Sequence, residues 1–326
     1  MAAGAFIVAT RKSILNESVF FMRLFCTIIL LGIFFSSCKS FREQERELPD
    51  NKNKGTIHVS ADESFKPIID EMVMVYQSQH NKAKILVEYK PEAECLKDLL
   101  NDSVRIVIVT RTFSQEESEA IVDSLKKGPK SMTIAYDAIS AIVNIEEEDS
   151  VFTMQDIKSI LSGRFKKNLI PVFDGVKATS TVRFAIDSIL RGDSLTRNAM
   201  AATDSRGVMD YVASHRGVIG FIGVSWIGNP EDTAALHYLK KLRQVALEST
   251  RKREKGVYVK GSQLNISLKR YPMVRDLVYI VKENYKGLGT AFCDFMSGEL
   301  GQLIFKRAYL VPAQKDFTIR PVRLRE

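Results

Sequence analysis

From Thr56 onward, short apolar runs alternate with segments whose apolar residues recur every three or four positions. Thr56 to Ser60 reads as a buried strand, and Phe65, Ile68, Ile69, Met72 and Tyr76 form a stripe at helical spacing. Lys84 to Tyr89 predicts a second strand, followed by a helix carrying Leu96, Leu99 and Leu100. Arg105 to Thr110 predicts a third strand. Ser114 and Glu117 then have the spacing of a capping box that opens a helix reaching Gly128. This βαβαβ order implies a parallel sheet with helices on its faces.

A second block begins at the apolar strand Ile134 to Val143. A helix is expected from Thr153 to Gly163 and a strand from Leu169 to Phe173. Thr181 is expected to cap a helix with Val182, Ala185, Ile186, Ile189 and Leu190 on one face. Gly217 to Ile222 reads as a small apolar strand, and the polar, basic stretch Lys240 to Lys255 as an exposed excursion. Leu277 to Val281 is a further strand, and one helix from Leu288 to Phe305 closes the pattern before Pro312. No internal repeat or low-complexity segment interrupts it.

The N-terminus has a different character. Met22-Arg23 begins a short basic region, and the apolar run Leu24 to Phe35 is short for a bilayer span. It ends in Phe34-Phe35-Ser36-Ser37-Cys38, which resembles a bacterial lipoprotein signal in which Cys38 is lipidated. Residues 1–37 are therefore expected to be a signal peptide, with Met22 as the true start and 1–21 as a misassigned extension. Residues 38–54 are polar and charged and read as a lipidated tether, so the globular part is expected from Gly55. The expected setting is the periplasm of a Gram-negative bacterium, on a membrane-anchored lipoprotein.

Composition narrows the function classes. The 326 residues are 45% hydrophobic and 26% charged, which rules out a disordered, collagenous or polytopic membrane chain. Lys and Arg (47) exceed Asp and Glu (39), giving +8, but the excess is spread along the chain. It argues mildly for an anionic ligand or surface, and no interleaved aromatic and basic patch points to nucleic acid. The four cysteines and four histidines are scattered, which excludes a zinc ribbon or a dense disulfide scaffold. Cys95 and Cys293 remain in the mature chain, and their spacing leaves pairing open. His58, His80, His215 and His237 lie in no ligand motif, so neither a metal nor another cofactor, nor an enzymatic centre, is expected.

Three polar loops fall at strand-to-helix junctions, where sheets of this kind bind ligands. They are Ser60-Ala61-Asp62-Glu63-Ser64-Phe65, Val109-Thr110-Arg111-Thr112 and Lys177-Ala178-Thr179-Ser180-Thr181-Val182-Arg183. Helix N-termini offer unpaired N–H groups, hydroxyls add uncharged donors, and arginine adds a fork that fits an oxyanion. Ser64 and Thr181 also read as ordinary N-caps, Arg111 as a surface residue and Arg183 as one half of a helix ion pair. Their shared position at three junctions favours a tetrahedral oxyanion site.

The order of these segments resembles the PstS-type phosphate-binding proteins of ABC transporters, over roughly Gly55 to Pro312. Tyr136 to Asn144 resembles that family's hinge strand, and Phe152 to Gly163 the helix after it. Gly217 to Gly223 is similar to its glycine-rich strand, and Tyr271 to Arg275 and Phe295 to Gln302 to its return strand and last helix. The resemblance implies an α/β, type II periplasmic-binding-protein-like fold of two lobes, each a mainly parallel sheet flanked by helices, joined by two hinge strands. Lobe one would be 55–135 plus 272–326, and lobe two 136–271. Phosphate would be captured in the cleft by Ser64, Phe65, Thr110, Thr179, Ser180 and Thr181, aided by Arg111 and Arg183. A monomer would deliver it to an ABC permease. The departures are an acidic second loop, Pro91-Glu92-Ala93-Glu94-Cys95, and Arg111 where the family places an aspartate. Glu92 is then the candidate proton acceptor that distinguishes hydrogen phosphate from sulfate. The competing readings are a binding-fold lipoprotein acting as a sensor or interaction module, or one that takes a different oxyanion.

Overall fold

The computed structural model describes residues 49–101, 103–119, 128–175, 179–229 and 233–314. The expected signal peptide, Cys38 and most of the tether lie outside them. Packed structure begins at Asp50 rather than Gly55. Its buried carboxylate accepts from the Leu288 N–H at 2.7 Å and pairs with Arg105, which pins the entering chain.

The first half is built from β1 (Lys54–Asp62), α1 (Lys66–Gln79), β2 (Lys82–Lys90), α2 (Glu92–Leu100) and β3 (Ile106–Val109). β1 pairs in parallel with both β2 and β3. The Ser114–Glu117 capping box forms, with reciprocal bonds of 3.2 and 2.8 Å. Its helix can be followed to Glu119, and the remainder up to Gly128 lies mostly outside the described residues.

The second half contains β4 (Lys130–Asn144), β5 (Val151–Phe152), α3 (Met154–Leu161), β6 (Ile170–Phe173), α4 (Ser180–Phe184), β7 (Met200–Ala201), α5 (Ser205–Ser214) and β8 (Val218–Gly223). It continues through α6 (Thr233–Leu239), β9 (Leu242–Gln244), β10 (Ala246–Glu248), β11 (Tyr258–Val259) and α7 (Gln263–Ser267). β12 (Val274–Val281), α8 (Leu288–Ser297), α9 (Glu299–Arg307) and β13 (Val311–Pro312) complete the described chain.

One continuous sheet runs β2-β1-β3-β12-β4-β8-β6-β7, with β9 and β13 also on β4; β11-β10-β5 form a small separate sheet. Strands at both ends of the large sheet pair in parallel, whereas β12, β4 and β8 pair antiparallel in its middle. β4 passes between two hydrophobic cores. Ile134 and Ala135 pack with Ile57, Phe65, Met72 and Phe292, while Ala138 and Ile139 pack with Phe173, Val182, Phe221 and Leu247. The returning chain crosses at the same level, Met273 in the second core and Leu277 in the first. Val311 packs in the second core although its neighbour Leu310 packs in the first.

Four local expectations are corrected. Thr179, not Thr181, caps α4, its hydroxyl accepting from the Val182 N–H at 3.2 Å. Beyond Phe184 the helix widens into π turns over Ala185–Leu190, with Arg191 N–H bonding Ile186 C=O, and the changed angle per residue leaves Ile186 exposed. Lys240 to Lys255 is only partly an excursion: β9 and β10 fall inside it, and Leu242, Val245 and Leu247 are buried. The closing helix is two helices, broken at Gly298, whose backbone is extended.

Candidate functional site

β1 ends in Asp62, whose carboxylate accepts from the Ser64 N–H at 3.0 Å and holds a single 3₁₀ turn over Glu63–Phe65. That turn aims the Ser64 hydroxyl at α4, 3.4 Å from the Ser180 Oγ. β6 ends just before Asp174, whose Oδ2 lies 3.5 Å from Ser64 Oγ and 3.3 Å from Thr181 Oγ1. Ser64, Ser180 and Thr181 are all essentially inaccessible to solvent. The strand ends and helix starts of both halves therefore bring three hydroxyls to one point.

The charge at that point comes from the crossing strands. Arg275 on β12 stands opposite Asp137 on β4 in the strand register. Its Nε donates to Asp137 Oδ2 at 2.9 Å and its Nη1 to Ser180 Oγ at 2.8 Å, and its guanidinium sits 4.9 Å from the centre of the Phe65 ring. Gly223 at the end of β8 permits this approach, since a Cβ there would lie 3.2 Å from Arg275 Nη2 and 3.4 Å from the Ser64 carbonyl oxygen.

Four buried polar atoms here lack a hydrogen-bond partner among the described residues: Asp62 Oδ2, Asp137 Oδ1, Asp174 Oδ1 and Arg275 Nη2. Arg275 Nη2 is 2.8 Å from Asp137 Oδ2, but its N–H groups are not aligned with that oxygen. Such orphans are costly unless a ligand completes them. Burial raises the pKa of all three carboxyls against the pull of Arg275, Asp174 to about 6, with the neighbouring Asp62 charge adding to the rise. A guanidinium and hydroxyls to donate, with carboxyl oxygens left to accept, match a ligand that carries both oxyanion oxygens and an O–H.

A second network adjoins the first. Glu92 opens α2 and is buried; its Oε1 accepts from the Thr110 N–H at 2.7 Å and the Thr110 hydroxyl at 2.6 Å. Arg183 on α4 pairs with Glu92 Oε2 and donates to Thr110 Oγ1 at 2.7 Å. Both Glu92 oxygens are thus occupied by protein. Arg111, half-buried, forms a bidentate pair with Glu117 at 2.7 and 2.9 Å.

Of the residues singled out from the sequence, Ser64, Ser180 and Thr181 are brought together. Thr179 contributes its cap, Phe65 a ring beneath Arg275, and Thr110 and Arg183 the second network. Arg111 turns to Glu117. The sequence reading missed Asp62, Asp137, Asp174 and Arg275. A signal exists for Asp137, a charge inside the long apolar run of β4, but not for Arg275, which precedes the buried run of β12 and stands beside the exposed Asp276. Cys95 and Cys293 are both free and lie in different clusters of the interior. Among the described residues no group of His, Cys, Asp and Glu is arranged to hold a metal ion.

Two α/β halves on one shared sheet, joined by crossing strands with a buried polar cluster where they meet, define a two-lobed binding protein. The chain belongs to the periplasmic-binding-protein (PBP) superfamily, whose domain model matches residues 48–299. It is similar to a phosphate-binding protein PstS of Borreliella burgdorferi, 21% identical over 266 residues that cover 77% of this chain and 87% of the relative. Its fold is similar to that of a phosphate ABC transporter substrate-binding protein from Clostridium perfringens, crystallised with bound phosphate. That likeness has a TM-score of 0.66 at 19% identity, over 80% of this chain and 100% of the other. An ABC-type phosphate transport receptor from Vibrio cholerae aligns with a TM-score of 0.58 at 15% identity, over 79% of this chain and 100% of its own. No described helix is long and apolar enough to cross a membrane.

Proposed function

We propose that this protein captures inorganic phosphate between its halves and delivers it to an ABC permease, with no chemical step. The observation that carries the reading is the buried meeting of Arg275, Ser64, Ser180 and Thr181 with three carboxyls that each keep one oxygen unpartnered among the described residues. The donors suit phosphate oxygens, and the free carboxyl oxygens accept the phosphate O–H. Sulfate at neutral pH has no proton to give, so it would face unpaired acceptors. Asp62 and Asp174 take the proton-acceptor role first sought in Glu92, because Glu92 is already satisfied by Thr110 and Arg183. The names of the relatives support the same ligand.

In this reading the lobes are 55–135 with 272–326 and 136–271, and they open and close about β4 and the chain entering β12. The protein works as a monomer in the periplasm, held to a membrane by lipid on Cys38. Calorimetric titration of the refolded, ligand-stripped protein tests the ligand. Phosphate is expected to bind at least about a hundredfold more tightly than sulfate, the scale set by leaving buried polar groups unpaired. Equal affinity for sulfate would change the substrate, and silence towards every oxyanion would favour the interaction-module reading. Cys38→Ser is expected to release the protein from membranes; unchanged retention would sink the anchor.

A further inference from the structure

The basic stretch noted in the sequence extends past Lys255, and folding joins its two ends into one cationic surface. Between Ser249 and Arg270 stand seven cations, Arg251, Lys252, Arg253, Lys255, Lys260, Lys269 and Arg270, against one carboxylate, Glu254. The chain folds back on itself here: Thr250 N–H bonds the Arg270 carbonyl at 2.9 Å, and Arg251 Nη2 reaches the Leu268 carbonyl at 2.6 Å. The Asn265 amide reaches the Lys260 carbonyl at 3.0 Å, which brings α7 onto the same patch. Glu254 is consumed by Arg270 at 2.7 Å, with Arg251 3.7 Å away. Lys252, Arg253, Lys255, Lys260 and Lys269 are exposed and have no ion-pair partner among the described residues.

Apolar side chains stand among these cations. Leu264 is 64% exposed, Val257 41%, Tyr258 40% and Leu268 38%. Leu264 on α7 stands mostly in water and Leu268 just after the helix partly so, whereas Ile266 between them is buried. A bare anionic protein face would use the cations and leave the leucines in water. A bilayer uses both: acidic headgroups take the lysines and arginines, and leucine and tyrosine enter the headgroup boundary.

We propose that the surface formed by residues 249–270 lies against an anionic lipid bilayer. Each cation near such a surface contributes about 1 kcal/mol, or roughly fivefold. A tether elsewhere in the chain would raise the local lipid concentration, yet the surface needs no tether to be basic and apolar. The membrane anchor at Cys38 is a separate question with its own test.

The test is amide hydrogen exchange of the full chain on vesicles. Phosphatidylglycerol-rich vesicles are expected to slow exchange across 249–270 about tenfold or more, and phosphatidylcholine vesicles to leave it unchanged. Raising salt until the Debye length falls to a few ångströms is expected to abolish the protection. A chain carrying Lys252→Glu, Arg253→Glu and Lys255→Glu should lose it too; these exposed side chains form no ion pair among the described residues, and an unchanged Tm checks that the fold is retained. Exchange that is unaffected by either lipid, or slowed equally by both, overturns the proposal. Protection confined to other segments overturns it as well, even where the chain is held to the vesicle through Cys38.

Discussion

Arg275 and Asp137 form a buried ion pair, and burying an ion pair rarely adds stability over apolar residues of the same volume. In the proposed function its place is explained by the Nη2 donor left over for a ligand. Arg275→Met is expected to cost about 3–5 kcal/mol in denaturant unfolding, because it strands Asp137 without a partner. Adding Asp137→Asn should recover most of that loss while phosphate binding stays weaker by roughly a hundredfold or more. Wild-type affinity in the folded double variant would remove Arg275 from the site. The carboxyls predict a pH dependence of the ligand-free protein. Asp174 is raised from an ordinary 3.8 to about 6, so between those values the folded state holds more protons than the unfolded one. Stability therefore falls as pH rises through that window and is flat above it for this group. Glu63, pushed up to about 7 first by burial, extends the decline. Glu117, held down to about 2 chiefly by Arg111, acts in the opposite sense and only at lower pH. Thermal unfolding should thus show a higher Tm near pH 5 than near pH 7.5. Asp174→Asn should flatten the slope and stabilise the ligand-free protein at neutral pH by up to about 3 kcal/mol. A wild-type slope in that variant would contradict the assignment.

At the scale of elements, the site depends on how closely a strand and a helix approach. Gly220 in β8 faces α5, and a Cβ there would lie 2.7 Å from Val208 Cγ1 and 2.8 Å from Val212 Cγ2. Neither side chain can retreat, since both are fully buried. Gly220→Ala is expected to destabilise by about 1–3 kcal/mol by forcing helix and strand apart. Because β8 ends at Gly223 beside Arg275, the same change should weaken anion binding more than its distance suggests. An alanine variant with wild-type stability would show that the helix yields freely. The elements were largely legible beforehand. β1 and β3 follow from short apolar runs buried on both faces, β2 from alternation, and α1 and α2 from period-3.6 stripes that each fill one buried face. The structure departs from the pattern where neighbours reset it, in the π turns after Phe184, the corner at Gly298 and the short β9 and β10, whose buried Leu242 and Leu247 lie in a basic stretch.

For the whole molecule, contacts across the crossing strands set the working state. Ser64 meets Ser180, the Trp226 indole donates to the Ser64 carbonyl at 2.9 Å, and the Glu63 carboxylate accepts from the Ser205 hydroxyl at 2.9 Å. All three tie the first turn after β1 to the second half. Trp226 is the single tryptophan of the chain, so its emission reads this junction without a label. Stripping the ligand is expected to open the junction and shift that emission, and phosphate to reverse the shift with the calorimetric midpoint. Heat of binding with unchanged emission would mean that binding leaves the junction as it was. Class, order of elements and three hydroxyl-bearing junctions could be read from residue order, because burial periodicity and helix capping act over a few neighbouring residues. The charged heart of the site could not. Arg275 and Asp137 are 138 positions apart, and only the register of two crossing strands makes them partners. Glu92 and Arg111, which looked equally free in the linear chain, found protein partners once α2, β3 and α4 were packed.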